Sequence, residues 1–240
     1  DGIRDSSTSR GLGDRACRDL RGLTPLQYIR HPNLDWFISH GQGGLCYPIA
    51  PGVRPGSDTA HLAILGYDVP SVYTGRGPFE AIGIGMDIQP GDVALRCNFA
   101  TVDDSLEIID RRAGRIREPE TTELVECLDG IEIDGVECLV RESTEHRAVL
   151  LLRGDGLSPN ITDADPGGDT HLMMCEPLDE DAEFTASVVN RFMEECYERL
   201  KNHPTNRKRA AAGLPPANIL VPRGAGSFPN IEPFPDCLLY

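Results

Sequence analysis

Residues 181–201, DAEFTASVVNRFMEECYERLK, carry the strongest single constraint on how this chain can fold. Phe184, Val188, Val189, Phe192, Met193, Cys196 and Leu200 recur at helical spacing, so they fall on one face of a helix. Acidic residues crowd the first turn, and Arg199 and Lys201 close the last, which suits the macrodipole. An amphipathic helix of this kind must lay its apolar face on another apolar surface. The rest of the chain supplies one. Residues 93–99, 106–109, 136–140 and 147–152 read as strands by their β-branched and apolar content. Residues 121–128 read as a short helix capped by Thr121 or Thr122, and 202–213 as a second, more polar helix. Residues 219–221 form a short strand ending at Arg223-Gly224-Ala225-Gly226. The expected class is therefore α/β.

The earlier part of the chain is centred on Pro55-Gly56-Ser57-Asp58-Thr59-Ala60-His61-Leu62. Pro and Gly set a turn, and the following residues can run as a helix until Gly66 stops it. Ser57 then sits on the first helical turn, where backbone N–H groups and the positive end of the dipole favour an anion. It reads either as an ordinary N-cap, which the local pattern favours, or as a phosphate acceptor. Before it, Leu26, Ile29, Leu34, Phe37 and Ile38 form a helical stripe ending at Gly41, and 45–49 reads as a buried strand. Between Tyr73 and Gly91 the glycines suit a hinge or tight packing. Gly83–Gly85 lacks the preceding strand and third glycine of a dinucleotide fingerprint.

Composition narrows the function. Of the 240 residues 40% are hydrophobic and 25% charged, as in a globular protein. A net charge of -15 argues against nucleic acid and against a polybasic membrane anchor. No apolar run approaches the roughly 18 residues of a membrane span. The eight cysteines include no C-x-x-C pair, and several sit in apolar runs; they read as buried thiols of a cytosolic protein. His171 and Cys175 have a metal-compatible spacing if helical, but no second pair accompanies them.

Chemistry concentrates in polar clusters at strand ends. Asp110-Arg111-Arg112 follows one strand, Glu145-His146-Arg147 precedes another, Asp163 and Asp165 lie in a loop, and Arg223 ends the last strand. Arginines so placed suit bidentate capture of phosphate or carboxylate. Taken singly, each arginine more often reads as a solvated or ion-paired side chain, and His146 as a hydrogen-bonded structural histidine. No G-x-S-x-G elbow is present, which argues against an ordinary serine hydrolase.

The runs YPIAPGVRPGSDTAHLAILGYD, YTGRGPFEAIG, GDVALRCNFATVD, DRRAGRI, TEHRAVLLLRGDGLSPNITDADP and NHPTNRKRAAAGLPPANIL, in that order, resemble the archaeal-type cofactor-independent phosphoglycerate mutases of the alkaline phosphatase superfamily. The resemblance covers the chain from about Leu12 to Gly226. It implies a partial alkaline-phosphatase-like core with an inserted α/β (α+β) cap domain. Residues 1–74 would be core, 75–225 the substrate-binding cap, and 226–240 a linker back to the core. The implied reaction interconverts 3-phosphoglycerate and 2-phosphoglycerate in the cytoplasm through a phosphoserine. Ser57 matches the nucleophile, and a closed lid would keep water from the phosphoserine. Asp110, Arg111, His146, Arg147 and Arg223 are the implied substrate-binding residues.

The resemblance also implies two divalent metals, manganese, magnesium or zinc, with Ser57 among the ligands. The family's leading D-G-x-G-D-R aspartate is matched in one of two ways. Gly11–Arg15 keeps most of the motif with Arg10 in the aspartate's place, or Asp1-Gly2 and Leu12–Arg15 are its halves. Asp1 or Asp14 is thus the other candidate ligand. The remaining Asp and His ligands follow the cap in this family, so the chain is expected to lack them along with the first strand. The expected function is the mutase reaction; the alternative is an inactive piece that only binds a phosphorylated acid or a partner. Residues 1–74 are expected to pack less well than 75–225.

Overall fold

The structure is a computed structural model, and it describes residues 15–44, 46–165 and 171–232. Backbone contacts divide these into two compact units: one runs up to Tyr73 and takes in Ile231 and Glu232, the other is Thr74–Asn230. Helix and strand are mixed, as the sequence leads one to expect. No helix among the described residues is long and apolar enough to cross a membrane.

The described residues of the first unit hold the short α-helices α1 (Pro25–Tyr28), α2 (Pro32–His40), α3 (Ser57–Ile64) and α4 (Val69–Val72), after a single 3-10 turn at Arg18–Leu20. Their starts follow from capping chemistry. Thr24 Oγ1 accepts from Gln27 N at 3.2 Å, and Gln27 Oε1 accepts from Thr24 N at 3.0 Å. Pro25 and Pro32 occupy first-turn positions, where a missing N–H costs nothing. The stripe expected over this stretch is helical, but Leu34, Trp36, Phe37 and Ile38 remain exposed. Leu62 and Val69 are the buried hydrophobics among the described residues of this unit. The strand expected at 45–49 is not there: 46–49 carries no strand, and Cys46 and Tyr47 are exposed. No strand is described in this unit to pair with it, and Pro48 has no N–H to give a ladder.

The second unit is built on one antiparallel sheet. Its elements are α5 (Arg76–Gly83), β1 (Val93–Val102), β2 (Ile108–Asp110), α6 (Glu120–Glu126), β3 (Ile131–Ile133), β4 (Val136–Glu142), β5 (Arg147–Arg153), α7 (Glu183–Leu200), α8 (Pro204–Ala211) and β6 (Ile219–Ser227). The strand order is β2-β1-β5-β4-β3, with β6 also pairing with β1. One face carries Leu95, Cys97 and Phe99 of β1 with Leu150 and Leu152 of β5. These join α6 through Leu124 and α7 through Val189, Phe192 and Met193 in the main core. The apolar stripe of 181–201 is thus met by alternate residues of the sheet.

The opposite face is split. At one end Ala94, Val149 and Leu151 pack with Ala81 of α5 and Ile88. At the other end the same face turns polar. The register sets Arg96 across from Arg223 of β6 and Asn98 across from Arg147 of β5. Because side chains alternate along a strand, these four share that face.

One local expectation is decided between its alternatives, and two are corrected. The glycine-rich stretch after Tyr73 contains helix α5, seated directly on the sheet: a Cβ at Gly77 would fall 2.1 Å from the Ala94 carbonyl oxygen. Tight packing is the glycine's role there. β6 does not stop at Arg223 but continues through Gly224 to Ser227, with a register shift opposite Ala94 and Arg96. Pro119, not Thr121 or Thr122, caps α6; both hydroxyls instead donate to the Glu142 carboxylate at 3.0 and 2.9 Å.

Candidate active site

Ser57 opens α3, and Gly56 occupies the N-cap. The capping alternative for the Ser57 hydroxyl therefore falls away. The first turn is fixed by its own neighbours: Thr59 Oγ1 accepts from Gly56 N at 2.9 Å, and the Tyr73 hydroxyl donates to Asp58 Oδ2 at 2.5 Å. His61 Nδ1 lies against the Ser57 carbonyl oxygen, so that ring nitrogen is engaged with backbone. Ser57 is half-buried at a helix start, a position suited to holding an anion.

In the second unit, Arg111, His146, Arg147 and Arg223 all line one cleft of about 370 Å³. Arg96, Asn98 and Arg112 complete its basic and polar wall, with Glu145 and Asp165 as its acids. Five arginines against two carboxylates make this cleft positive in a chain of net charge -15. Such a cleft draws anions toward it. Asp165 holds two of the arginines in place, accepting from Arg111 Nη1 at 2.6 Å and from Arg223 Nη1 at 3.0 Å.

Asp110 is not among the cleft-lining residues. Its carboxylate accepts from the backbone N–H groups of Arg112 at 2.8 Å and Gly114 at 2.9 Å. It shapes the turn that presents Arg111 and Arg112, a different job from the substrate contact expected of it. Asp163 likewise serves backbone, accepting from Gly224 N at 2.6 Å.

Burial gives the cleft its chemistry. Arg96 is only 7% exposed. Desolvation lowers its pKa to about 10, with Arg76, Arg147 and Arg223 pushing the same way and Glu80 opposing. Burial also lowers the pKa of His146, and the neighbouring Arg147 and Arg112 add to the shift. Arg96 Nε, Asn98 Oδ1, His146 Nδ1 and Arg147 Nε are buried with no hydrogen-bond partner among the described residues. Arg96 Nε does lie 3.3 Å from Glu80 Oε2, close enough for an ion pair but not aligned as a hydrogen bond. Unsatisfied buried groups are rare and costly, and their clustering in one cleft is an arrangement suited to a polar ligand.

Arg96 and Asn98 are the cleft residues on β1 that sequence reasoning missed, and Arg96 is the charged one. Its signal was present: one arginine interrupts the apolar run VALRCNFATV, nine of whose ten residues are buried. Its partner Glu80 lies in a helix that was not expected.

The implied metals meet a poor donor set. Among the described residues no group of three or more His, Cys, Asp or Glu side chains is placed to hold a metal ion. Asp1 and Asp14 lie outside the described residues. The donors described around Ser57 therefore do not fit a two-metal centre. His171 and Cys175 are not on a helix; His171 Nδ1 lies 2.9 Å from Glu107 Oε1, and Cys175 is buried.

The family model for 2,3-bisphosphoglycerate-independent phosphoglycerate mutase matches residues 39–206. Among curated relatives, the chain is similar to the 2,3-bisphosphoglycerate-independent phosphoglycerate mutase of Methanosphaera stadtmanae. The two are 51% identical over 228 residues, covering 93% of this chain and 56% of the relative. Against enzyme 1 of the same name from Methanocaldococcus jannaschii the figures are 51% over 227 residues, 93% and 55%. Among solved structures, the cofactor-independent phosphoglycerate mutase of Thermoplasma acidophilum aligns with a TM-score of 0.64 and 43% identity, over 93% of this chain and 59% of that one. A Pyrococcus horikoshii protein aligns with a TM-score of 0.67 and 34% identity, over 92% of this chain and 50% of that one. The chain thus spans a little over half the length of the curated relatives it matches. The matched segment includes Ser57 and all the cleft residues except Arg223, and on that evidence the chain belongs to the 2,3-bisphosphoglycerate-independent phosphoglycerate mutase family.

Proposed function

We propose that this chain serves the interconversion of 3-phosphoglycerate and 2-phosphoglycerate, with Ser57 as the phosphoryl acceptor and the arginine cleft as the grip on the substrate. The observation that carries the reading is the cleft: five arginines and a buried histidine, with polar atoms unsatisfied among the described residues, in a family named for a phosphorylated carboxylic acid. Planar guanidinium groups match both the phosphate and the carboxylate of such an acid.

In the first transfer, Ser57 Oγ bonds to phosphorus, and the bond from phosphorus to the substrate's C3 oxygen breaks. The serine gives up its hydroxyl proton, and the leaving oxygen takes one up. In the second, the C2 hydroxyl attacks the phosphoserine, and the bond to Oγ breaks, so the serine regains its proton and the glycerate is released phosphorylated at C2. Backbone N–H groups of the first turn of α3 favour the phosphoryl charge beside Ser57. No step is assigned to a manganese, magnesium or zinc ion. The free thiols suit a reducing compartment, and the reading places the reaction in the cytoplasm.

The test is conversion of 3-phosphoglycerate by the chain supplied with manganese. The expected result is 2-phosphoglycerate with the wild type and none with Ser57→Ala. Conversion that persists in Ser57→Ala overturns the nucleophile. No conversion by wild type under conditions where the cleft binds 3-phosphoglycerate overturns the activity.

A further inference from the structure

We infer that Glu80 is a positioning residue for the anion cleft, setting Arg96 and the turn that carries His146 and Arg147 at a fixed distance from one another. Glu80 does not line the cleft; it acts through residues that do. One carboxylate oxygen, Oε2, lies 3.3 Å from Arg96 Nε, and the other, Oε1, accepts from Ser143 Oγ at 2.9 Å. Ser143 opens the β4–β5 turn, its N–H donating to the Arg147 carbonyl at 2.8 Å. His146 and Arg147 follow at the start of β5. A single side chain from α5 therefore ties the middle of β1 to the turn that leads into β5, and Arg96 at one end and His146 and Arg147 beyond the other line the cleft.

The backbone explains why Glu80 arrives there. Gly77 lets α5 touch the β1 backbone at Ala94. Glu80 is three residues on, hence on the same face of the helix. Arg96 is two residues past Ala94, hence on the same face of the strand. The close approach at Gly77 brings the carboxylate over the guanidinium. The pair is largely buried, with side chains 9% and 17% exposed. Arg96 makes no hydrogen bond to a described residue through its terminal nitrogens. Engaged by Glu80 at its Nε edge, it keeps the fork of terminal N–H groups for the occupant of the cleft. Without Glu80, a nearly buried guanidinium among Arg76, Arg147 and Arg223 would have no counter-charge to hold it.

The inference rests on the cleft being an anion site; only the identity of the anion rests on the function proposed above. Its test separates geometry from charge. Glu80→Gln removes the charge but keeps an oxygen for Arg96 and an amide for Ser143. Glu80→Ala removes the charge and both ties. Affinity for inorganic phosphate and, separately, for 3-phosphoglycerate is measured by calorimetry on wild type, both variants and Ser143→Ala. The Arg96 Nε–Hε resonance is followed in the same samples.

The expected result is a loss of about tenfold in phosphate affinity for Glu80→Ala, recovery close to wild type in Glu80→Gln, and a two- to threefold loss in Ser143→Ala. The Arg96 resonance should move most in Glu80→Ala. If Glu80→Ala does not fold, Ser143→Ala carries the test. Phosphate affinity and an Arg96 resonance unchanged in Glu80→Ala overturn the inference, as does an unchanged Ser143→Ala when Glu80→Ala is unfolded. Wild type that binds no phosphate overturns it as well. Wild type that binds phosphate but not 3-phosphoglycerate leaves Glu80 in its role and overturns the proposed substrate.

Discussion

Gly77 meets Ala94 backbone to backbone: a Cβ on Gly77 would stand 2.1 Å from the Ala94 carbonyl oxygen. The obstacle is main chain inside a paired strand, so no rotamer change relieves it. Gly77→Ala should push α5 off the sheet and cost roughly 3 kcal/mol. Chemical denaturation of the purified chain measures this. A loss below about 0.5 kcal/mol would mean that α5 is not seated as described.

Arg147 has a buried Nε without an acceptor among the described residues and lines the cleft beside His146. On the proposed function, removing it deletes a charge-assisted contact to the substrate while leaving no stranded partner among the described residues. Arg147→Ala should weaken 3-phosphoglycerate binding by about tenfold or more, with little change in stability. Arg191 is a suitable control, since it lies outside the cleft and pairs with Asp134 on the surface. Arg191→Ala should leave binding unchanged, and calorimetric titration compares the two.

His146 makes stability depend on pH with a definite sign. In the unfolded chain it takes a proton at about pH 6.5, whereas in the fold burial and Arg147 hold its pKa lower. Below pH 6.5 the unfolded state therefore holds more protons, and stability rises with pH. The stability contributed by the neutral ring is present above pH 6.5 and is lost as pH falls through the depressed value. Denaturation midpoints between pH 7.5 and 5.5 should fall more in wild type than in His146→Gln. Equal slopes would count against a neutral, desolvated His146.

The thiols should divide sharply in reactivity. Burial pushes Cys138, Cys175 and Cys196 up to about 12, and Cys97 well above its ordinary value. Cys17 and Cys46 are exposed. Brief alkylation of the native chain at pH 8, read by peptide mass spectrometry, should label Cys17 and Cys46 and spare the buried four. Labelling of Cys97 at a comparable rate would contradict the core described.

The elements legible in the sequence were those whose pattern answers to one surface. The α7 stripe and the β1, β4 and β5 runs are periodic because each meets a single apolar face. α5 was hidden because its stretch reads only as glycines suited to a hinge or tight packing; Gly77 does serve tight packing, but within a helix. β6 was read too short because Gly224 and Gly226 interrupt its pattern, although pairing with β1 carries the strand through them. The stretch at 45–49 looked like a strand by composition, but a strand needs a partner. In the cleft, Arg111, His146, Arg147 and Arg223 were found as charges at strand ends. Arg96 was not, because the arginine in the apolar β1 run was passed over, and the register that sets it opposite Arg223 is visible only in the fold. Asp110 shows a related limit: the sequence shows a carboxylate beside arginines, and only the fold shows it accepting from backbone N–H groups.

The central claim is that the arginine cleft holds a phosphorylated acid. The most direct measurement is a ³¹P NMR titration of 3-phosphoglycerate with the wild-type chain and with Arg147→Ala. The account predicts a saturable shift or broadening of the phosphate signal with wild type that is largely lost in the variant. A phosphate signal unaffected by the wild-type chain, or affected equally by both proteins, would contradict it.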